Sequence, residues 1–270
     1  MVFKKQEKRS KKVSKLEKII EKIGLYDIWT VFFPGVVFLD LVKTLYRFML
    51  TLPYSISKKT SIIEQVFIFC KAKVYIPDNA YELLIMCLCS YLAGLILHEI
   101  SGLMKNRVVY KEGKPTDFLL DSKRGVFSEE EIIKLMPMCT YLYGGPLALD
   151  EKEKLKKQSH FIFKKINVEL QRKKIASQYV KLNIAYNTCA ALEVAIILVF
   201  CMAILFEIEF IVLKRYDTLL SVISLDIFMI MCIYFLSNRS KKMYKYWIRN
   251  IVLAYQDIYL NEEHNIEEQN

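Results

Sequence analysis

Apolar positions along the chain gather into long runs separated by charged stretches. Within residues 1–24, Val13, Leu16, Ile19, Ile20 and Ile23 recur at three- and four-residue spacing among nine Lys/Arg and three Glu. That spacing predicts an amphipathic helix with a basic face, suited to the cytoplasmic surface of an anionic membrane, with Gly24 as its stop. The first long run covers residues 25–50 and has its apolar heart from Ile28 to Leu39, interrupted by Pro34-Gly35. Proline removes a ladder hydrogen bond and glycine admits a neighbouring helix. A kinked or broken membrane helix is therefore expected, with Pro34 and Gly35 as a hinge. Residues 51–79 form a connection whose apolar patch, Ile62 to Phe69, is too short to cross a bilayer. The second run, Ala80 to Met104, is uncharged from Leu83 to Leu97, and its small residues Ser90, Ala93 and Gly94 predict a packing face.

Residues 105–182 are polar and basic. Ser128 followed by Glu131 predicts a capping box that opens a helix at Glu129. From Asp150 to Lys181 there is neither Gly nor Pro, which predicts a long basic helix running into the third apolar run, Ile184 to Leu213. Over residues 187–206 that run holds a single charge, Glu193, and is long enough to span. The fourth run, Thr218 to Leu236, carries Asp226 in its middle, and the short link Lys214-Arg215-Tyr216-Asp217 makes the last two a tight hairpin. Beyond Asn238 the chain turns basic, with Tyr244, Tyr246 and Trp247 as interfacial anchors, and ends acidic.

Composition agrees with helices: 8 Gly and 6 Pro in 270 residues leave little for a turn-rich β fold. The net charge of +10 is concentrated in the flanks, so the positive-inside rule fixes topology. Four spans put the N-terminus, residues 105–182 and the C-terminus in the cytoplasm, with Lys214 and Arg215 the exception outside. The fold expected is an all-α membrane protein of about four transmembrane helices, with a helical cytosolic domain between the second and third. Its divisions are a basic cytosolic helix at 1–24, spans one and two at 25–104, a basic cytosolic domain at 105–182, a transmembrane hairpin at 183–238 and a cytosolic tail at 239–270. The basic N-terminal stretch leads into an apolar run with no small-residue cleavage site, the pattern of an uncleaved first span.

Ionisable groups inside apolar runs are functional candidates because placing a charge in hydrocarbon costs a few kcal/mol or more. Asp40, Lys43 and Arg47 share one face of the first run; Glu193 and Asp226 lie in the third and fourth. Repeated around a homo-oligomer, such groups line or gate a pore. Milder readings stand beside this one: Lys43 and Arg47 snorkel, and Asp40 pairs with Lys43. Glu82, His98 and Glu99 sit near the ends of the second run. His98-Glu99 lacks the second His of a zinc-protease helix, since position 102 is Gly, so a hydrogen-bonded structural His is expected. Seven cysteines show no Cys-x-x-Cys pair and read as reduced, buried side chains. With no phosphate loop, dinucleotide fingerprint or nucleophile elbow, neither catalysis nor a metal or cofactor is expected. The basic stretch offers Lys156, Lys157, Lys164, Lys165, Arg172, Lys173 and Lys174, interleaved with Phe161, Phe163 and Tyr179, as candidates for an anionic ligand. The alternative is a solvated juxtamembrane helix.

Tyr26-Asp27-Ile28-Trp29 with Phe33-Pro34-Gly35, and Ser90-Tyr91-Leu92-Ala93-Gly94 with His98, resemble small membrane proteins of bacterial anti-phage defence loci. These include membrane effectors of cyclic-oligonucleotide systems and the channel subunit of Hailong-type systems. The resemblance implies a homo-oligomeric pore that depolarises the inner membrane and is gated by a nucleotide or oligonucleotide on the cytosolic face. It carries over no catalytic residue, and Pro34, Gly35, Tyr91 and Gly94 read as structural. The function expected is thus a cytosolically gated, ion-permeable effector; the alternative is a membrane scaffold that recruits a soluble defence partner or an anionic ligand.

Overall fold

A computed structural model describes residues 24–57, 79–149, 151–173, 177–212 and 216–267. Regular structure among them is helical, with no strand. Helix α1 joins a short turn, Leu25–Asp27, a π-helical segment, Ile28–Phe32, and an α-helix, Phe33–Ser57. Helix α2 is Ala80–Met104, ending in a second π segment, Lys105–Val109. A 3₁₀ turn at Pro115–Phe118 precedes α3, Glu129–Tyr143, and α4, Lys152–Arg172. Helices α5, Ser177–Val212, and α6, Tyr216–Glu267, complete the chain. The basic helix expected at residues 1–24 and the connection around Ile62 to Phe69 lie outside the described residues.

Four helices, α1, α2, α5 and α6, are long and apolar enough to cross a membrane, the architecture of a multi-pass membrane protein. Only 17% to 33% of each apolar window is buried, so most of that surface faces outward and needs an apolar solvent. The chain divides into two compact units: residues 1–101 with 187–238, and residues 102–186 with 239–270. The division falls inside α2, α5 and α6.

In the first unit, α1 and α2 touch backbone to backbone. Ser90, Gly94, Leu97 and Ser101 form the buried stripe of α2 at four- and three-residue spacing. A methyl group on Gly94 would lie 1.9 Å from the Val31 carbonyl oxygen, and one on Gly35 would lie 1.8 Å from the Ser90 carbonyl oxygen. Each glycine thus presents its Cα hydrogens to a carbonyl of the other helix, a reciprocal weak bond available only without a side chain. Helix α2 starts at Asn79, whose side-chain oxygen accepts from the Glu82 backbone N–H at 2.8 Å; Glu82 is therefore a capping residue. Further along, Leu45, Phe48 and Met49 of α1 pack with Val199, Ala203 and Phe210 of α5 and Val222, Leu225 and Met229 of α6.

The second unit has its own core. Leu119, Leu120 and Phe127 of the loop pack with Ile132, Leu135 and Leu142 of α3 and Ile162, Ile166 and Leu170 of α4. Ser128 and Glu131 form the expected capping box, and Gly144 closes α3 in the left-handed conformation at φ 80°. The segment after Asn238, read from its charge as a tail, continues α6 as helix and gives Tyr244, Ile248, Ile251, Val252 and Tyr255 to this core. Their spacing of four, three, one and three residues is a helical stripe that the basic residues between them obscure. Lys105 is buried, yet its ammonium donates to the Ser240 hydroxyl and lies 4.2 Å from the Tyr186 ring centre. Tyr186, Tyr244 and Trp247 stack in sequence at 4.7 and 5.7 Å. The described cysteines are free thiols, but they are not all buried as expected: Cys139 is, with burial pushing its thiol up to about 12, whereas Cys87, Cys189 and Cys232 are half-buried, Cys89 and Cys201 are exposed on the apolar helix faces, and Cys70 lies outside the described residues.

Gly94→Ala is expected to lower the stability of the first unit by about 1–3 kcal/mol through overpacking. Gly102→Ala, which lies in the second unit with nothing within 4 Å of the added methyl, is expected to leave the first unit unchanged and to raise the stability of its own unit by up to about 1 kcal/mol through helix propensity. Denaturant titration in micelles, followed by Trp29 and Trp247 emission, measures both; equal effects would contradict the backbone contact. In the second unit, the Ser128 backbone N–H, then the Ser128 hydroxyl and Arg249, hold the Glu131 carboxyl below its usual 4.5. A lowered carboxyl contributes stability at neutral pH and loses it as pH falls through the folded-state value. Unfolding of the second unit in acid, read from Trp247, is expected to be less steep in Glu131→Gln.

Candidate functional site

Helices α5 and α6 bring two carboxyls together in the apolar part of the first unit. One turn either side of Glu207 lie buried Ala203 and Phe210; one turn either side of Asp226 lie buried Val222 and Met229. Both acids therefore sit on the packing faces of their helices. Their side chains meet at hydrogen-bonding range. Asp226 is 9% exposed, and Asp226 Oδ1 and Glu207 Oε1 are shielded from solvent and receive no donor from the described residues. A carboxyl in such a place forgoes hydration and gains little in return, so its retention points to use rather than to stability.

Asp226 was legible in the sequence, but Glu207 was not singled out because it lies just past the charge-poor window that ends at residue 206. The signal lay in the hairpin: an acid shortly before a tight link and another shortly after it face each other when the two helices run antiparallel. The other candidates do not join the pair. Asp40 and Lys43 of α1 and Glu193 of α5 are half-buried, and Arg47 is exposed. Among the described residues no three acidic, His or Cys side chains come together. His98 Nδ1 is buried without the expected hydrogen-bond partner among those residues, and Glu99 is exposed.

Pro34 and Gly35 are both buried, in a helix that stays continuous. The expected kink or break takes the form of the π segment just before them. In a π turn each N–H reaches back five residues, as Phe33 does to the Ile28 carbonyl. The next donor in that register is Pro34, which has no N–H, so the Trp29 carbonyl is left over. The Thr188 hydroxyl of α5 donates to it at 2.9 Å. Beside it, Asn187 Nδ2 donates to the Tyr26 hydroxyl at 2.7 Å, and the buried Thr30 hydroxyl donates back to the Tyr26 carbonyl at 2.8 Å. Pro34 thus makes a docking point for α5, while Gly35 next to it docks α2.

The basic residues of α4 diverge rather than converge. Lys156 donates to the Glu112 carbonyl at 2.8 Å and lies 5.8 Å from the Phe118 ring centre. Lys165 donates to the Leu142 carbonyl at 2.8 Å, satisfying the last turn of α3. Arg172 pairs with Glu169 one turn back at 2.8 Å. Lys157 and Lys164 are exposed, Lys173 follows the last turn, and Lys174 lies outside the described residues. Phe163 is buried in the core, leaving Phe161 as the exposed ring beside these lysines. A cavity of about 460 Å³ opens between the 109–113 segment, Phe118 and Arg124. In the adjoining recess, Arg124, Lys152 and Lys156 are matched by Glu112, Asp117, Asp121 and Glu153, so it offers an anion no net attraction.

No protein-family model, curated protein or solved structure matches the chain. The carboxyl pair and the Trp29–Thr188 junction therefore rest on their own geometry.

Thr188→Val removes the donor to the Trp29 carbonyl and keeps the shape. It is expected to destabilise the first unit by about 1–3 kcal/mol, the cost of a backbone acceptor left unsatisfied in an apolar solvent, with Thr188→Ser close to wild type. Denaturant midpoints in micelles test this; a Val variant as stable as the Ser variant would remove the junction's energetic role.

Proposed function

We propose that the protein is an oligomeric, ion-permeable pore of the cell inner membrane, gated from the cytosol and acting as an anti-phage defence effector. The Glu207–Asp226 pair carries this reading. Asp226 is ten residues into α6, about 15 Å along the axis at 1.5 Å per residue. A bilayer's hydrocarbon is about 30 Å thick, so the pair lies near its middle if α6 enters at its first residue. Acids at that depth mark ion and proton paths in membrane proteins.

Leu45, Phe48, Val199, Ala203 and Val222 fill the space between α1, α5 and α6, so an aqueous path has to form between copies of the chain. The exposed apolar faces of α2, α5 and α6 supply surface for both lipid and other copies. The basic flanks favour a topology with both termini and residues 105–182 in the cytoplasm. A ligand gates by preferring one of two states of the cytosolic unit. Because α5 and α6 each carry residues of both units, a change there acts on the helices that hold the pair.

The scaffold reading is favoured by one observation. On the second unit, Ile133 at 70% exposure, Tyr141 at 68% and Phe161 at 48% stand beside Lys134, Lys157 and Lys164, a surface that suits a soluble partner.

Ion flux into liposomes holding the purified protein, with and without nucleotides and cyclic oligonucleotides, separates the two. The pore reading expects flux that changes about tenfold or more in Asp226→Asn and Glu207→Gln, the effect of about 1.4 kcal/mol on the conducting state. An absence of flux under every ligand, from protein that is folded by its denaturation profile, would leave the scaffold.

A further inference from the structure

Glu207 and Asp226 meet in a way that specifies what they hold. An ionised carboxyl only accepts hydrogen bonds, so two carboxyls in contact form a bond only if one keeps a proton. Two anions at this range repel strongly, and the buried residues one turn either side of each acid, Ala203, Phe210, Val222 and Met229, are apolar. Asp226 Oδ1 and Glu207 Oε1 are shielded from solvent and meet no donor among the described residues.

Metal ions fit poorly. Calcium takes six to eight oxygens and magnesium a near-ideal octahedron. The pair provides four oxygens, and no third acidic, His or Cys side chain joins it among the described residues. A proton needs only two oxygens. Other charged groups of the first unit on these helices are Asp27, Asp40, Lys43 and Arg47 of α1, Glu193 and Glu209 of α5 and Asp217 of α6; Glu207 is the one that meets Asp226.

We propose that Glu207 and Asp226 form a proton-binding site between α5 and α6, a carboxyl dyad that holds one exchangeable proton inside the apolar helices. As a station on an ion path the dyad rests on the pore reading; as a proton site it does not. Loss of that proton to water converts the neutral-plus-charged pair into two like charges, which drives α5 and α6 apart at this level.

Dicyclohexylcarbodiimide tests the site directly. This apolar reagent enters lipid and adds to a protonated carboxyl, which ends as a stable N-acylurea; a carboxylate does not react. Wild-type protein in liposomes is treated at a series of pH values, digested, and the modified peptide read by mass spectrometry. The expected result is label on Glu207 or Asp226, falling about tenfold per pH unit once the shared proton leaves, the slope of a single titration. No label on either residue from mildly acid to alkaline pH overturns the dyad. Protection by added sodium at fixed pH also overturns it, in favour of a metal cation. Label on the dyad in liposomes that pass no ions upholds the dyad and removes the pore; flux through protein whose dyad never labels does the reverse.

Discussion

The first unit depends on backbone brought against backbone where α1 meets α2. Lipid is as apolar as leucine, so in a bilayer no hydrophobic drive presses helices together, and close approach must supply the attraction. Gly35 and Gly94 permit it, each opposite a carbonyl of the other helix. The π segment just before Pro34 then releases the Trp29 carbonyl for Thr188, and α5 is tied in at the same level. Three helices meet within a few residues of one proline, and the rest of α5, with α6 folded against it, is positioned from there.

The second unit solves a different problem, since its core is made from elements far apart in sequence. Leu119, Leu135, Ile162 and Ile248 all lie in one apolar cluster. The aromatic series Tyr186, Tyr244 and Trp247, with buried Lys105 over the first ring and on Ser240, fastens the ends of α2 and α5 to the middle of α6. A buried ammonium is tolerated there because an aromatic face and a hydroxyl replace its water.

Much of the helix layout was legible because it depends on local signals. Long uncharged runs, the Ser128–Glu131 box and the small residues at 90 and 94 each report on a few neighbouring positions. What escaped depends on pairing across distance. Glu207 gains meaning only opposite Asp226, and the Trp29 carbonyl only opposite Thr188. The stripe from Tyr244 to Tyr255 was hidden because the lysines and arginines between its members dominate the charge pattern. On α4 the charge pattern alone conceals which lysines have local partners. Seven basic residues in one stretch read as a surface, yet the helix turns Lys156 and Lys165 to different neighbours, where each satisfies a backbone carbonyl.

The junction at Trp29 also has a history in time. Its acceptor and its donor are separated by 159 residues of chain. Synthesis at about 5–20 residues per second makes Thr188 roughly 8–30 s after Trp29. If the helices enter the membrane as they are made, α1 waits through that interval with one carbonyl unanswered, at a place where an unsatisfied group costs several kcal/mol in hydrocarbon. Its first turns are then best kept near water or a chaperoning surface until α5 arrives. In that order of events the Trp29 carbonyl, freed by Pro34, is among the last groups of α1 to find its partner.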